Sequence, residues 1–287
     1  MKTLHKTALS AAAVALLSGL ACSTAFAADT PANPEDAGSP LSANVTVVSD
    51  YRYRGISQSN FKPAIQGGFD YAHESGFYIG NWNSSISWIS DAAPATANTR
   101  VTAPIEMDFY GGIKKEFIGE GFASDFGVLQ YYYPTSGLNV SGTQANPNTT
   151  ELYAAQNFTF GAVTGFVKFS YSVSPIFGFA NSTGSYYPDL TVNYDTGVWG
   201  LALNAHVGYQ YVAGNVQGST TGASNSSLYS YTDWKLGVTK DFGGGLSLSA
   251  AYIGTDAGKT GSVYNYTSPT GKNLGGSTGI VALTKTF

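Results

Sequence analysis

The sequence predicts an all-β fold: a closed antiparallel transmembrane β-barrel of about twelve strands, with short periplasmic turns and long extracellular loops. Three observations predict it: an export signal at the N-terminus, period-two alternation of apolar and polar residues, and connections that alternate between short and long. Composition agrees with all three. Charged residues make up 11% of the chain, whereas a soluble protein of this size carries about a quarter. The 20 Tyr and 16 Phe argue equally against disorder, which goes with few aromatics. A soluble β-sandwich or lipocalin-like barrel would turn its apolar face inward and clothe its outside with charge, and the low charge count speaks against that arrangement.

The N-terminal segment is read as a signal peptide over residues 1–27. Lys2 and Lys6 precede an apolar stretch from Ala8 to Leu20, and Ala25-Phe26-Ala27 supplies a small-x-small cleavage pattern. The apolar stretch is too short to span a bilayer as a helix, and no later segment reaches the roughly 18–20 apolar residues that a spanning helix needs. The single cysteine, Cys22, lies within the peptide, and Gly19 stands where lipoprotein signals usually carry Leu. Cleavage after Ala27 therefore leaves neither a disulfide nor a cysteine metal site. It also removes two lysines from a chain of formal charge −4, an acidic balance that argues against nucleic acid as a partner. Residues 28–40, rich in Pro, Asp and small side chains, read as a periplasmic linker, and residues 41–287 as the barrel.

The first strand sets the parity. Leu41, Ala43, Val45, Val47, Ser49, Tyr51 and Tyr53 form one face, while Asn44, Thr46, Val48, Asp50, Arg52 and Arg54 form the other. Such alternation marks a strand with one apolar and one polar side. The pattern recurs at Ile65, Gly67, Phe69 and Tyr71. It appears again at Ile105, Met107, Phe109, Gly111 and Ile113, and over residues 163–173, 201–211 and 246–254. Strands near 77–88, 122–133, 151–160, 186–195 and 229–242 carry aromatics or small residues on both faces, which leaves their parity open.

The connections count the strands independently. Short links at 74–76, 117–121, 161–162, 196–200 and 243–245 take turns with long ones near 55–63, 89–103, 134–150, 175–185, 213–228 and 256–275. Five short turns and six long loops give twelve strands, an even number that puts both ends of the barrel in the periplasm. In hydrocarbon every backbone N–H and C=O must be paired, so strands cross a membrane only as a closed barrel. The last strand, 277–287, places Val281, Leu283 and the terminal Phe287 on one parity. Lys285 interrupts it at the rim, where its amine can reach the interface. Tyr71, Phe77, Phe117, Phe158, Phe160, Tyr194, Trp199 and Phe242 gather beside the short turns, as interface girdles do.

Four stretches carry a family resemblance. Ser49-Asp50-Tyr51-Arg52-Tyr53-Arg54-Gly55-Ile56-Ser57-Gln58, followed by Pro63-Ala64-Ile65-Gln66-Gly67-Gly68-Phe69-Asp70-Tyr71, resembles the opening of the TorF-type porins of Proteobacteria. Gly76-Phe77-Tyr78-Ile79-Gly80-Asn81-Trp82 continues the match, and Glu106-Met107-Asp108-Phe109-Tyr110-Gly111-Gly112 is similar. The resemblance implies an outer-membrane channel and names neither a solute nor functional residues. The aromatic terminus at Phe287 likewise resembles the signal read by the outer-membrane assembly machinery.

The expected function is a porin: a narrow passive channel for small solutes or ions, with outer-membrane lipid, the assembly machinery and a small solute as partners, and no cofactor. Parity sends Asp50, Arg52, Arg54, Gln66, Asp70, Glu106, Asp108, Lys114, Lys168, Asn204, His206 and Gln210 into the lumen. There, mixed charges either line a solute path and select by charge and size or pair with one another to fill the interior. The alternatives are a plugged barrel acting as a lipid-modifying hydrolase, or an adhesive or structural surface protein. A hydrolase needs a histidine to activate serine or water. After cleavage only His73, beside a turn, and His206, among lumen amides, remain. Gly275-Gly276-Ser277-Thr278-Gly279 matches G-x-S-x-G, yet that motif works on a strand-to-helix elbow, and here it leads into a strand.

Overall fold

The computed structural model describes residues 40–92, 101–138, 146–220 and 222–287. The expected signal peptide, with Cys22, and most of the expected linker lie outside these residues, as do parts of the second and third long loops and residue 221 of the fifth. Among the described residues, twelve strands close into one antiparallel barrel. They are β1 (Leu41–Val48), β2 (Ala64–Ala72), β3 (Phe77–Ser85), β4 (Ile105–Gly119), β5 (Phe122–Tyr132) and β6 (Thr149–Phe160), then β7 (Val163–Ser172), β8 (Tyr186–Asp195), β9 (Leu201–Gln210), β10 (Tyr231–Asp241), β11 (Leu246–Thr255) and β12 (Thr278–Thr286). Each pairs with its neighbours in sequence, and β1 pairs with β12 to close the ring through five residue pairs, from Asn44↔Thr286 to Val48↔Ala282. That seam is extended by the Phe287 N–H donating to the Ala43 carbonyl at 2.8 Å and the Ser49 N–H donating to the Val281 carbonyl at 2.9 Å.

Strand parity follows the chemistry of the two sides. Val47, Ile65, Phe69, Ile79, Phe109 and Val167 stand exposed on the outside, and Leu203, Leu236, Leu248 and Leu283 continue the belt around the barrel. A continuous exposed apolar band is what hydrocarbon requires and water penalises. Aromatics ring its short-turn edge, where Phe77, Phe117, Phe160, Tyr194, Trp199 and Phe242 are exposed. At the opposite edge Tyr132, Tyr171 and Tyr209 do the same. Lys285 donates to the Gly244 carbonyl in the last short turn and lies 5.1 Å over the Phe287 ring, so its charge is kept at the rim.

The inward face is built from tyrosines laid against glycines on the adjoining strand. A Cβ at Gly208 would fall on the Tyr187 ring, and one at Gly127 on the Tyr153 ring. Without that missing Cβ neither ring lies flat against the wall. The five strands of open parity form as expected, with Leu152, Leu190 and Leu236 fixing their outward sides.

Several strand ends shift by one to three residues from the sequence reading, as at Ser85, which leaves Trp88 to a short helix, and two differences bear on the connections. β4 runs to Gly119, through an irregularity between Lys115 and Gly119, so the turn narrows to Glu120-Gly121. More consequentially, β1 ends at Val48 rather than continuing to Arg54. The first long loop, L1 (49–63), folds into the barrel instead of projecting from it. Within L1, Arg52–Tyr53 pairs with Ile56–Ser57 around Arg54 (φ 45°) and Gly55 (φ 77°). Two successive positive φ values make the tight two-residue hairpin turn that Gly tolerates readily. The other long loops are L2 (86–104), with the short helix α1 (Trp88–Ala92), L3 (133–148), L4 (173–185), L5 (211–230), with α2 (Asn225–Tyr229), and L6 (256–277).

Candidate functional site in the lumen and its outer vestibule

L1 carries the most specific geometry. Asp50, Arg52 and Arg54, expected on the β1 wall, belong instead to this inserted loop. Tyr51 and Tyr53, expected on the lipid side, are buried inside. Period two misleads here because the L1 hairpin is itself extended, so alternation continues after the chain has left the barrel wall. Arg52 Nε donates to Asp50 Oδ2 at 2.6 Å, while its Nη1 donates to the carbonyls of Gly55, Leu274 and Gly276 at 2.9, 2.7 and 3.1 Å. Asp50 Oδ1 accepts from the hydroxyls of Ser57 and Ser59 at 2.6 and 3.2 Å. Together these bonds pin the loop to itself and to L6.

Arg54 then crosses the lumen. It donates to Glu151 Oε2 on β6 at 2.8 Å and to Gln210 Oε1 on β9 at 2.5 Å, and its guanidinium lies 4.1 Å over the Tyr187 ring of β8. In the closed strand order these three strands face β1 from across the barrel. L1 is thus a strap held at its far end by one buried, charge-assisted contact.

The other expected residues do point inward, and each is held by partners. Glu106 accepts from the hydroxyls of Tyr51 and of Tyr133, the latter at 2.7 Å. Asp108 is fully buried beside it on β4. Gln66 donates to Ser84 Oγ at 3.0 Å, and Asn204 donates to Asn193 Oδ1 at 2.7 Å. Asp70 accepts from Tyr110 at 2.5 Å. Lys114 donates to Asn157 Oδ1 at 3.3 Å, and Lys168 lies 4.6 Å over the Tyr153 ring. His206 is enclosed between two carboxylates, with Nδ1 3.0 Å from Asp189 Oδ1 and Nε2 3.0 Å from Asp233 Oδ2. A histidine with both nitrogens against carboxylates presents no open lone pair to a substrate.

Asp125, Glu151, Asp189, Asp233 and Lys235 escaped the sequence reading, although all are buried on the lumen side. They sit on the strands of open parity. A partial signal was present: a charge on the lipid face of a membrane strand costs about 2–4 kcal/mol near the midplane for Lys and less for Asp or Glu, which favours an inward direction for each without fixing it. With these included, seven buried carboxylates stand against five buried Lys and Arg and His206 among the described residues. The buried charges are thus close to electrical balance.

On the long-loop side of L1 lies a cavity of about 240 Å³. Tyr53 and Ile56 of L1 border it, and α1 contributes Trp88 and Asp91. Phe177 and Phe179 come from L4, Tyr231 from the start of β10, and Tyr266 from L6. The rings hold one another: Phe177 packs edge-on to Tyr53 and Tyr131 at 5.2 and 5.1 Å, and Tyr231 meets Tyr266 at 5.2 Å. Burial raises the Tyr266 phenol above its usual range, as does the neighbouring Tyr229, so it stays neutral. Its hydroxyl donates to the Tyr229 carbonyl at 2.7 Å. The cavity was not anticipated, because its wall is assembled from loops whose sequences carry no motif.

Comparison with known proteins places this architecture. The KdgM porin superposes with a TM-score of 0.50 at 6% identity, over 86% of this chain and 99% of that one. A second structure, the same porin in complex with disordered oligogalacturonate, gives 0.48 at 6% identity over 86% and 98%. OccD3 of Pseudomonas aeruginosa gives 0.40 at 12% identity over 85% and 60%. At such identities the likeness is one of fold alone: a closed antiparallel β-barrel of the kind porins have. No curated protein sequence matches the chain. A family model described as "Bacterial protein of unknown function (Gcw_chp)" matches residues 32–287, and the chain belongs to that family.

Proposed function

We propose that this protein is an outer-membrane porin of the TorF type, a narrow passive channel for small solutes in which L1 forms the constriction. The observation that carries the reading is the Arg54 contact. A loop tethered across a lipid-belted barrel narrows the interior, as the constriction of a size-selecting pore does. Near balance of the buried charges supports a channel that discriminates by size more than by ionic sign. The arrangement of His206 between Asp189 and Asp233 favours a positioning role over a catalytic one, and Ser277, the last residue of L6, leads into β12 rather than a helix, so the hydrolase reading gains no support. In this account the signal peptide directs export, and Phe287, exposed at the periplasmic rim, is offered to the assembly machinery.

Single-channel recording of the refolded mature chain in a planar bilayer tests the proposal. Wild type should give small, steady conductance steps. Arg54→Ala, which frees the far end of L1, should give larger steps. Arg52→Ala, which loosens L1 from L6, should add gating noise. Folded, inserted barrels that conduct in neither wild type nor Arg54→Ala would sink the porin reading.

A further inference from the structure

We propose that the cavity above L1 is a binding site for one uncharged aromatic solute carrying a hydrogen-bond-accepting substituent, and that it acts as the entry site of the channel. The inference deepens the porin reading, yet binding in the cavity does not depend on conduction. Size comes first. An apolar cavity of about 150 Å³ takes benzene, so one of about 240 Å³ takes a single substituted ring and excludes an oligomer.

The lining chooses the chemistry. Tyr53, Trp88, Phe177, Phe179, Tyr231 and Tyr266 present aromatic surface from five separate segments, and their mutual edge-on contacts hold the surface formed before any ligand arrives. Such pre-organised apolar walls with few polar groups characterise small-molecule sites.

Charge narrows the class further. Among the described residues, Asp91 is the one charged side chain that borders the cavity, and neither Lys nor Arg borders it. An anion would be desolvated with no cation to meet it and a carboxylate beside it, which is costly. A cation has no lone pair to offer the buried Trp88 Nε1–H. A neutral ring avoids both penalties.

The hydrogen-bonding edge of the solute follows from what the site leaves unpaired. The phenols of Tyr133 and Tyr266 are committed as donors to Glu106 and to the Tyr229 carbonyl, and Tyr53 is bonded to Tyr131 at 2.7 Å. The Trp88 Nε1–H is buried without a partner among the described residues. Leaving such a donor unsatisfied is costly, and a ligand acceptor would relieve it.

Titration of the full mature barrel in lipid nanodiscs with benzamide, benzoate and benzylammonium, followed by calorimetry, tests the site. Benzamide should bind saturably at one site, and the two charged analogues should bind at least about tenfold more weakly. Trp88→Phe keeps the ring and removes the donor, so it should weaken benzamide while leaving toluene unaffected. Phe177→Ala should weaken both, with the barrel's circular dichroism unchanged. Absence of saturable benzamide binding to folded wild type, equal binding of a charged analogue, or indifference to both substitutions would overturn the proposal. A barrel that binds benzamide but does not conduct would overturn the porin reading alone, and a conducting barrel that binds none would overturn this inference alone.

Discussion

Arg54 and Glu151 meet inside the barrel at 2.8 Å with both side chains almost wholly buried. Glu151 has further contacts to the Ser172 and Tyr131 hydroxyls at 3.3 and 3.5 Å, long distances that leave Arg54 as its principal partner. Removing one member of a buried ion pair strands the other, at a cost of about 3–5 kcal/mol, whereas replacing both with uncharged residues is often neutral. Arg54→Ala is therefore expected to destabilise the folded barrel by about that amount, and Arg54→Met combined with Glu151→Gln to recover most of the loss. Urea unfolding from lipid vesicles, followed by tryptophan emission, measures both; equal loss in the single and double variants would show that the pair does not hold the loop. Half of this contact was legible beforehand. Arg54 was expected in the lumen and is there, but Glu151 lies on a strand with small or aromatic residues on both faces. Only closure of the barrel, with Leu152 turned to lipid, makes its direction plain.

Among the elements, the strands were legible and L1 was not, for a common physical reason. Hydrocarbon imposes period two on every strand that spans it, so β2, β4, β7 and β9 announce their faces through Ile65, Phe109, Val167 and Leu203. L1 keeps the same period because its inner hairpin is extended, and nothing local distinguishes a hairpin in the lumen from the end of a wall strand. Its course is decided by partners distant in sequence: the carbonyls of Leu274 and Gly276, the Glu151 carboxylate and the Gln210 amide. The vestibule was illegible for the same reason, since Trp88, Phe177 and Tyr266 come together only when L2, L4 and L6 fold over the barrel mouth. β1 and β2 remain in register up to Val48↔Ala64, so the strands do not need L1 to find each other. Excision of residues 50–62 with a short Gly-Ser bridge should leave a heat-modifiable barrel on gels and raise single-channel conductance above that of Arg54→Ala. A variant that folds but conducts as wild type would remove L1 from the role of constriction.

At the scale of the whole molecule, two solvents divide the sequence between them. The outside is tuned to lipid, and Leu236, in the middle of β10 and 62% exposed, is a direct probe of that. Leu236→Arg should cost about 2–4 kcal/mol in a bilayer, the price of a cation near the midplane, read as a lowered urea midpoint; no change would mean that this face does not meet hydrocarbon. The inside is tuned to itself, with its charges nearly balanced and its tyrosines seated on glycines. Joining the two is a ring of antiparallel ladders, of which the β1–β12 seam has five residue pairs where β9–β10 has ten. A ring under tension parts where the fewest rungs share the load. Pulled from either end, the barrel should come out of the membrane one hairpin at a time, beginning with the release of β12 from β1. The same narrow joint is the natural last stitch when the sheet curls shut during insertion.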